Sequence, residues 1–479
     1  MAVPSEDGFS NLPNQIIHHI FSYLETNDIP RITGVSRKFR DVCNSSPYLD
    51  LEADFRASQN CKCEGFMDFV DRVLGQRNGV GVHRLRLSWF CNQPHYKSAA
   101  GPLIDNWLKY AAECNVQDLD IGVFPGYGEL FVIPPCLSNC QSLRVLKLNL
   151  KGRGLVLQPA SFASLVDLNL SNVELCPTFS GGNIGHWIST SCNFLQNLSL
   201  DNILCSEGKD MSISSSSLQH ITIRGCKFQE AFKLSITSAS LQHLTMSSCL
   251  FNEWCKVDVT AERLKTLTVD IVFSSHLHGL GHGALQFSIF APSLLNFSWT
   301  GPAACYSDNL EHFWFLEEAS ISVKVPHNHQ NKELVCDFLE RLLHSVRYTQ
   351  NLQLNSEIFT YYHQPGVFDN LKQLVVVVRH FDEDQDQTIS PFISGLRNLW
   401  TLTIKLDDDD NAVVDPNVVA LLWMRSQKYV AKNRKPRKLA FYFHEHVEEM
   451  DPRWNCNKLL KWIFEFEKAL LGMIVYYRK

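Results

Sequence analysis

The chain has 479 residues, enough to bury a sizeable core in one extended domain or in two to three compact ones, and 45% hydrophobic with 20% charged residues is a soluble, globular composition. Its 44 Lys and Arg against 50 Asp and Glu leave a net charge of −6, which gives no global basic field for nucleic acid. The opening MAVPSEDGFSNLPNQ has neither a basic start nor a long apolar run and does not read as a secretory signal; no stretch is apolar enough to span a bilayer, and VVVV (Val375 to Val378) is strand-sized.

The first predicted elements lie between Phe9 and Leu51. Pro13 suits a first helical turn, after which Ile16, Ile17, Ile20, Phe21 and Leu24 form one apolar stripe. Asn27 and Asp28 are turn or cap residues, and Ile32, Val35, Phe39 and Val42 repeat the helical spacing, with Pro30 near the start of that second helix. About forty residues of short amphipathic helix do not complete a good core alone, so part of this surface is expected to meet a partner.

Leu12-Pro13, the Ile16/Ile17/Ile20 run, Ser22-Tyr23-Leu24, Asp28-Ile29 and Val35-Ser36-Arg37-Lys38-Phe39 together resemble an F-box. The resemblance implies a helical module that docks on a Skp-type adaptor of a cullin-RING ubiquitin ligase. Carried over position by position, Leu12, Pro13, Ile16, Ile20, Leu24, Ile29, Val35 and Phe39 are the docking or module-core residues. His18 and His19 fall where that family often has an apolar residue and a His.

Next comes a helical stripe of Phe66, Phe69, Val70, Val73 and Leu74, then an array. The phrase L-x-x-L-x-L, with conservative replacements, begins at Val82, Val116, Leu143, Leu165, Leu195, Leu218, Leu241, Leu264, Leu294, Leu316, Thr349, Leu371 and Leu399. Gaps of 22 to 34 residues between successive starts are close to a leucine-rich-repeat period. The copies LQHITIRGCKF (Leu218 to Phe228) and LQHLTMSSCLF (Leu241 to Phe251) place Cys226 and Cys249 in the slot where that repeat takes Asn or Cys. A lone short strand cannot bury its apolar side, but stacked copies share a continuous core. The expected fold is therefore α/β: a small helical N-terminal module followed by a leucine-rich-repeat solenoid whose parallel sheet curves into a horseshoe or arc.

Within each repeat, positions 1, 4 and 6 should face the core and 3, 5 and 7 should face out. The outward set includes Arg84, Arg86, Ser88, Asp118, Asp120, Asp167, Asn197, Ser199, Asp201, His220, Thr222, Arg224, His243, Thr245, Thr268, Ser298, Asn351, Gln353 and Thr403, with Val145, Val375 and Val377 as apolar exceptions. A parallel sheet buried on both sides would be apolar on both, so one face is open to water or to a partner. Arg84, Arg86, His220, Arg224, His243, Thr245, Thr268 and Ser298 are the residues expected to contact a target protein.

Segments 65–89, 102–121 and 132–149 are similar to the opening repeats of plant F-box/leucine-rich-repeat proteins, and this closer resemblance covers residues 9 to about 150. The ending, with a strand at Phe441 to Phe443, an amphipathic helix near Leu459 to Leu471 and then MIVYY, is weakly similar to that family's FBD-type terminus and is expected to cap the last repeat. Four segments are thus expected: 9–51 F-box, 52–81 helical linker and N-terminal cap, 82–410 repeat solenoid, 411–479 C-terminal cap.

The acidic runs DEDQD (Asp382 to Asp386) and DDDD (Asp407 to Asp410) follow repeat strands and read as solvated loops or as one negative patch for a basic partner. KNRKPRK (Lys432 to Lys438) reads as a basic import signal or a solvated loop, and HLHGLGHG (His276 to Gly283) as a glycine-rich loop, its histidines lacking carboxylate or cysteine support for a metal. Sixteen cysteines in so long a chain read as reduced thiols, and Cys61/Cys63 and Cys136/Cys140 lack a second pair at zinc spacing. No phosphate loop, nucleophile elbow, H-E-x-x-H or kinase signature occurs. No catalytic residue, metal or cofactor is therefore assigned.

The expected function is substrate recognition for an SCF-type (cullin-RING) ubiquitin ligase, in the nucleus, the cytoplasm or both: the module grips the Skp-type adaptor and the repeat surface holds an unknown target protein. The alternative is a non-degradative scaffold or small-ligand sensor. A secreted repeat receptor is disfavoured by the N-terminus, and a hydrolase in the C-terminal region would need a deep pocket with converging titratable groups.

Overall fold

In the computed structural model, residues 12–21, 23, 41–42, 44–54, 63–77, 80–90, 97–124, 130–158, 161–175, 184–205, 210–228, 232–251, 255–273, 285–302, 305–310, 313–325, 332–362, 368–378, 380–381, 389, 392–393, 395–396, 398–406, 413–414, 438–443 and 473–477 are described. The chain folds as two units, Met1–Leu241 and Gln242–Lys479. Leu24, Ile29, Val35, Phe39, both acidic runs, the histidine-rich loop, residues 432–437 of the basic run and the expected helix at 459–471 lie outside the described residues.

The first unit contains helices α1 (Asn14–Phe21), α2 (Cys63–Gly75), α3 (Lys97–Glu113), α4 (Pro135–Ser138) and α5 (Ile184–Ser191). Its strands are β1 (Tyr48–Asp54), β2 (Arg84–Phe90), β3 (Asp118–Phe124), β4 (Phe131–Val132), β5 (Val145–Val156), β6 (Asp167–Leu175), β7 (Asn197–Asp201), β8 (Leu204–Cys205), β9 (Asp210–Ser214), β10 (His220–Arg224), β11 (Lys227–Phe228) and β12 (Phe232–Thr237). The main sheet runs β1-β2-β3-β5-β6-β7-β10, every pairing parallel. Along these strands Leu49, Leu51, Leu85, Leu87, Leu119, Ile121, Leu146, Leu148, Leu168, Leu170, Leu198, Leu200, Ile221 and Ile223 are each at most 5% exposed. Each contributes roughly 2 kcal/mol of burial, a gain available only when a neighbouring strand covers it.

Hydrogen bonds carry the stacking from coil to coil. The amides of Asp118, Val145, Asp167, Asn197 and His220 each donate to a carbonyl in the coil before. At the turns, Ser142 Oγ donates to the Val116 carbonyl at 2.9 Å and Ser217 Oγ to that of Leu195 at 2.8 Å. The backbone turns left-handed at Asn172 (φ 52°), within β6, and on leaving β7 and β10 at Asn202 (φ 52°) and Gly225 (φ 63°). Asn172 Nδ2 donates to Asn149 Oδ1 at 3.0 Å, and a side chain on Gly225 would run into the Asn202 carboxamide. Gly225→Ala therefore combines strain with a clash and should cost about 1–3 kcal/mol. A lowered urea midpoint is the expected readout.

Repeat length decides what covers the side of the coil away from the main sheet. The long gaps from Val82 to Val116, from Leu165 to Leu195 and, in the second unit, from Leu316 to Thr349 hold α3, α5 and a helix at Lys332–Ser345. Where starts are 23 residues apart, at Leu195, Leu218 and Leu241, β9, β12 and the strand Cys255–Thr260 take the helix's place. Two gaps depart from this pattern: that from Leu264 to Leu294, whose described part is a strand, Leu285–Phe290, and the short one from Thr349 to Leu371, which holds a five-residue helix at Glu357–Tyr361.

The second unit has β13 (His243–Phe251), β14 (Cys255–Thr260), β15 (Thr266–Phe273), β16 (Leu285–Phe290), β17 (Asn296–Pro302), β18 (Cys305–Leu310), β19 (Glu318–Lys324), α6 (Lys332–Ser345), β20 (Asn351–Asn355), α7 (Glu357–Tyr361), β21 (Gln373–Val378), β22 (His380–Phe381), β23 (Thr401–Leu406), β24 (Val413–Val414), β25 (Lys438–Phe443) and β26 (Met473–Tyr477). Its main sheet runs β13-β15-β17-β19-β20-β21-β23-β25-β26, again parallel throughout. A second parallel set, β14-β16-β18, lies behind. The core is aromatic here: Trp299 is 1% exposed, with Phe287 and Phe338 rings at 4.9 Å and 5.7 Å.

Repeat strands extend beyond the expected 82–410 span at both ends. β1, inside the segments assigned to the F-box and linker, pairs in register with β2 (Asp50 opposite Arg86), and β25 and β26, inside the expected cap, continue the second sheet. Two residues of the expected outward set are buried, Ser88 at 4% and Thr403 at 9%. Both are short side chains in mid-sheet, Ser88 between Glu52 and Gly122, Thr403 between Val375 and Ala440, where the flanking strands screen them.

Candidate functional site

Three surfaces carry the residues singled out by the sequence. The first is α1. Pro13 precedes the helix and its carbonyl accepts from the amides of Ile16 (3.0 Å) and Ile17 (3.2 Å), which starts the first turn. The apolar stripe then splits: Ile17 is fully buried, while Ile16 is 47% exposed, Pro13 is exposed, and Leu12 and Ile20 are half-buried. His18 faces inward, its Nε2 3.1 Å from the Val42 carbonyl and 3.3 Å from Ser45 Oγ, tying α1 to the segment before β1. Arg77, 2% exposed, donates to the Ser46 carbonyl, and burial lowers its pKa against the opposing pull of Tyr110.

The second surface is the open face of the first unit's sheet, where register sets side chains in rows. One row is Asp50, Arg86, Asp120, Lys147, Asn169, Ser199 and Thr222 across successive strands. Arg86 lies 3.3 Å from Asp50, 3.5 Å from Glu52 and 3.8 Å from Asp120. Burial works against its charge, but these three carboxylates outweigh it and raise the pKa. Arg84 lies 3.5 Å from Asp118, and Arg224 3.8 Å from Asp201, which also accepts from Ser199 Oγ at 2.9 Å. Asn197 donates to Asp167, and Ser171 to Asn169 at 2.7 Å. The cations expected to contact a target are thus already engaged by neighbouring carboxylates. His220 is exposed beside them.

Asp120 sits deep enough that burial raises its carboxyl above the ordinary 3.8, with Lys147 and Arg86 pulling the other way. A carboxyl with a raised folded value holds its proton more tightly in the native state, so its stabilising contribution is complete at acid pH and is lost as pH climbs through that value. Arg86→Leu removes an opposing cation and widens this window. The variant should lose more stability at pH 7 than at pH 4, read from urea midpoints at the two pH values; an equal loss would contradict the coupling.

The third surface is the open face of the second unit. A shallow cavity of about 270 Å³ spans β15, β17, β19, β20 and β21, lined by Thr266, Thr268, Asn296, Ser298, Glu318, Ser320, Asn351, Gln353 and Gln373 together with the apolar Leu267, Phe297, Ala319, Leu352 and Val375. Thr268 and Ser298 of the expected target-binding set meet here; His243 and Thr245 lie on β13, half-buried and outside the cavity lining. Sequence reasoning missed Asp50 and Glu52 on the first face and Glu318 and Ser320 on the second. The signal was present as alternation in YLDLEAD and EASISVK.

Among the described residues no group of His, Cys, Asp and Glu is placed to hold a metal ion, and no helix is long and apolar enough to cross a membrane. Nine described cysteines form no disulfide, among them Cys226 and Cys249, both buried in the core at the repeat slot.

An N-terminal helix with an exposed apolar edge is followed by parallel strands at leucine-rich spacing, and a family model matches each of these two parts. Residues 9–52 match the F-box-like family, and residues 104–287 match the family described as FBD-associated F-box protein At5g56370, LRR repeats, well past the 150 at which the closer resemblance ends in the sequence alone. The relatives are Arabidopsis thaliana proteins. F-box/LRR-repeat protein 13 is 26% identical over 212 residues, 44% of each chain. FBD-associated F-box protein At1g66310 is 28% identical over 142 residues, 30% of each chain, and F-box/LRR-repeat protein At4g14103 is 30% identical over 148 residues, 30% of this chain and 36% of the relative. The chain spans less than half the length of these relatives.

Proposed function

We propose that this chain is a substrate-recognition subunit of an SCF-type ubiquitin ligase, acting in the nucleus or cytoplasm without contributing a catalytic group. Residues 9–51 dock on a Skp-type adaptor through Leu12, Pro13, Ile16 and Ile20, with Leu24, Ile29, Val35 and Phe39 completing the module. The repeat strands, from β1 onward, hold the target. The observation that carries this reading is the split stripe of α1: an isoleucine 47% exposed beside one fully buried is an apolar edge left for a partner. Tethering then raises the target's effective concentration at the ubiquitin-charged enzyme.

The test is a reconstituted reaction containing the full chain, adaptor, cullin, RING protein and charged ubiquitin-conjugating enzyme. Proteins captured by the chain should be ubiquitinated, and Leu12→Ala with Pro13→Ala should stop this without loosening capture. Capture without ubiquitination would favour the non-degradative scaffold.

A further inference from the structure

We infer that the open face of the second unit binds its target as an extended peptide segment bearing one Arg or Lys side chain, which pairs with Glu318 in an otherwise uncharged groove. The inference rests on the reading of the open face as the recognition surface and names what that surface selects.

The two units' faces differ in one physical respect. On the first, charged side chains of opposite sign sit together: Arg86 has three carboxylates within 4 Å, and Asp201 accepts from Ser199 and is faced by Arg224. On the second, Glu318 is the single charged residue of the cavity lining, and among the described residues it has no ion-pair partner. Register sets it between Asn296 and Asn351, one step from Ser320. The side chains of Asn296, Ser298, Ser320, Asn351 and Gln353 likewise have no hydrogen-bond partner among the described residues. Lys372, the cation just ahead of β21, is turned to Gln350 at 2.9 Å.

A row of unengaged amides and hydroxyls is harmless in water, but under a partner each needs a hydrogen bond, which peptide backbone supplies, while the apolar atoms between them give a segment's side chains something to lie against. The unpaired carboxylate adds a charge requirement, because covering it without a cation leaves a buried charge, while a guanidinium or ammonium forms a charge-assisted bond. Five strands at about 4.8 Å spacing put the groove at roughly 19 Å across, the reach of about six extended residues. The cavity of about 270 Å³ takes one long side chain rather than a whole small molecule.

The groove's strand-entry edge supplies anchors. Trp314 and Phe315, in the turn leading to β19, are 59% and 68% exposed, and Trp400, directly before β23, is 49% exposed. Trp314 stacks on Tyr348, ahead of β20, at 4.5 Å, with Arg347 over the Tyr348 ring at 4.6 Å. Trp, Tyr and Arg are the types that dominate interface energy.

The test presents a positional-scanning library of synthetic nonapeptides to the full chain in complex with its adaptor. Arg or Lys should be enriched at one position. Glu318→Gln should weaken the selected peptides about tenfold, and Glu318→Lys should switch that position to Asp or Glu. Adaptor binding should be unchanged in both variants. Selection that Ser298→Arg blocks but Glu318→Gln leaves untouched would overturn the cation assignment and leave the recognition reading standing. No selection, or selection indifferent to Ser298→Arg, would overturn both. Free arginine or spermidine binding alone as tightly as the selected peptides would overturn the peptide assignment.

Discussion

Ile16→Asp is expected to abolish capture of a Skp-type adaptor while the chain stays folded; Ile17→Asp is expected to unfold the N-terminal module. The two residues are neighbours of the same type, and only their side of the helix differs, 47% exposed against fully buried. At Ile16 the aspartate stays hydrated in the free chain, so the cost falls on binding, where a desolvated charge at an apolar contact should lower affinity by about 100-fold or more. At Ile17 the carboxylate would be buried in the free chain, and the penalty falls on folding. Pulldown with circular dichroism separates the cases: lost binding with an unchanged spectrum for the first, lost helical signal for the second. The same result for both variants would mean that the apolar edge is not a docking edge.

Trp299→Ala is expected to have the largest effect on the stability of the second unit, about 3–5 kcal/mol. The ring is 1% exposed, packed edge-on against Phe287 at 4.9 Å and near Phe338 at 5.7 Å, and it lies on the core side of the strand whose other side carries Asn296 and Ser298. Its indole Nε1 is buried without a hydrogen-bond partner among the described residues, which is itself a cost. Trp299→Phe removes that orphaned donor while keeping most of the apolar volume, so it should cost only about 1 kcal/mol. Urea midpoints distinguish the two; a phenylalanine variant as unstable as the alanine one would show that the indole has a partner.

The repeat was legible because its period and its strand alternation both survive in a single sequence: Leu218 to Phe228 and Leu241 to Phe251 announce the same coil twice, and Ile221, Ile223, Leu244 and Met246 are buried where the alternation places them. The ends were less legible. β1 carries one alternating phrase, YLDLEAD, with no repeat upstream to set its phase, so it reads as the tail of the helical module. The second parallel sheet behind the shorter repeats was not anticipated either, because FKLSIT and CKVDVT alternate on their own account and signal a strand without saying which sheet it joins. At the candidate sites, sequence separates outward from inward residues but not engaged from unengaged ones. Arg84 and Arg86 look like contact residues on a list of outward positions; register brings Asp50, Asp118 and Asp120 beside them. Glu318 acquires its meaning in the same way, from neighbours on other strands that happen to be uncharged.

The most direct measurement is isothermal titration of the full chain with a purified Skp-type adaptor. Saturable binding at or below about 1 µM, about −8 kcal/mol, lost in the Leu12→Ala, Pro13→Ala double variant, is the predicted result. No heat of binding from a folded chain at adaptor concentrations well above that value would contradict the account.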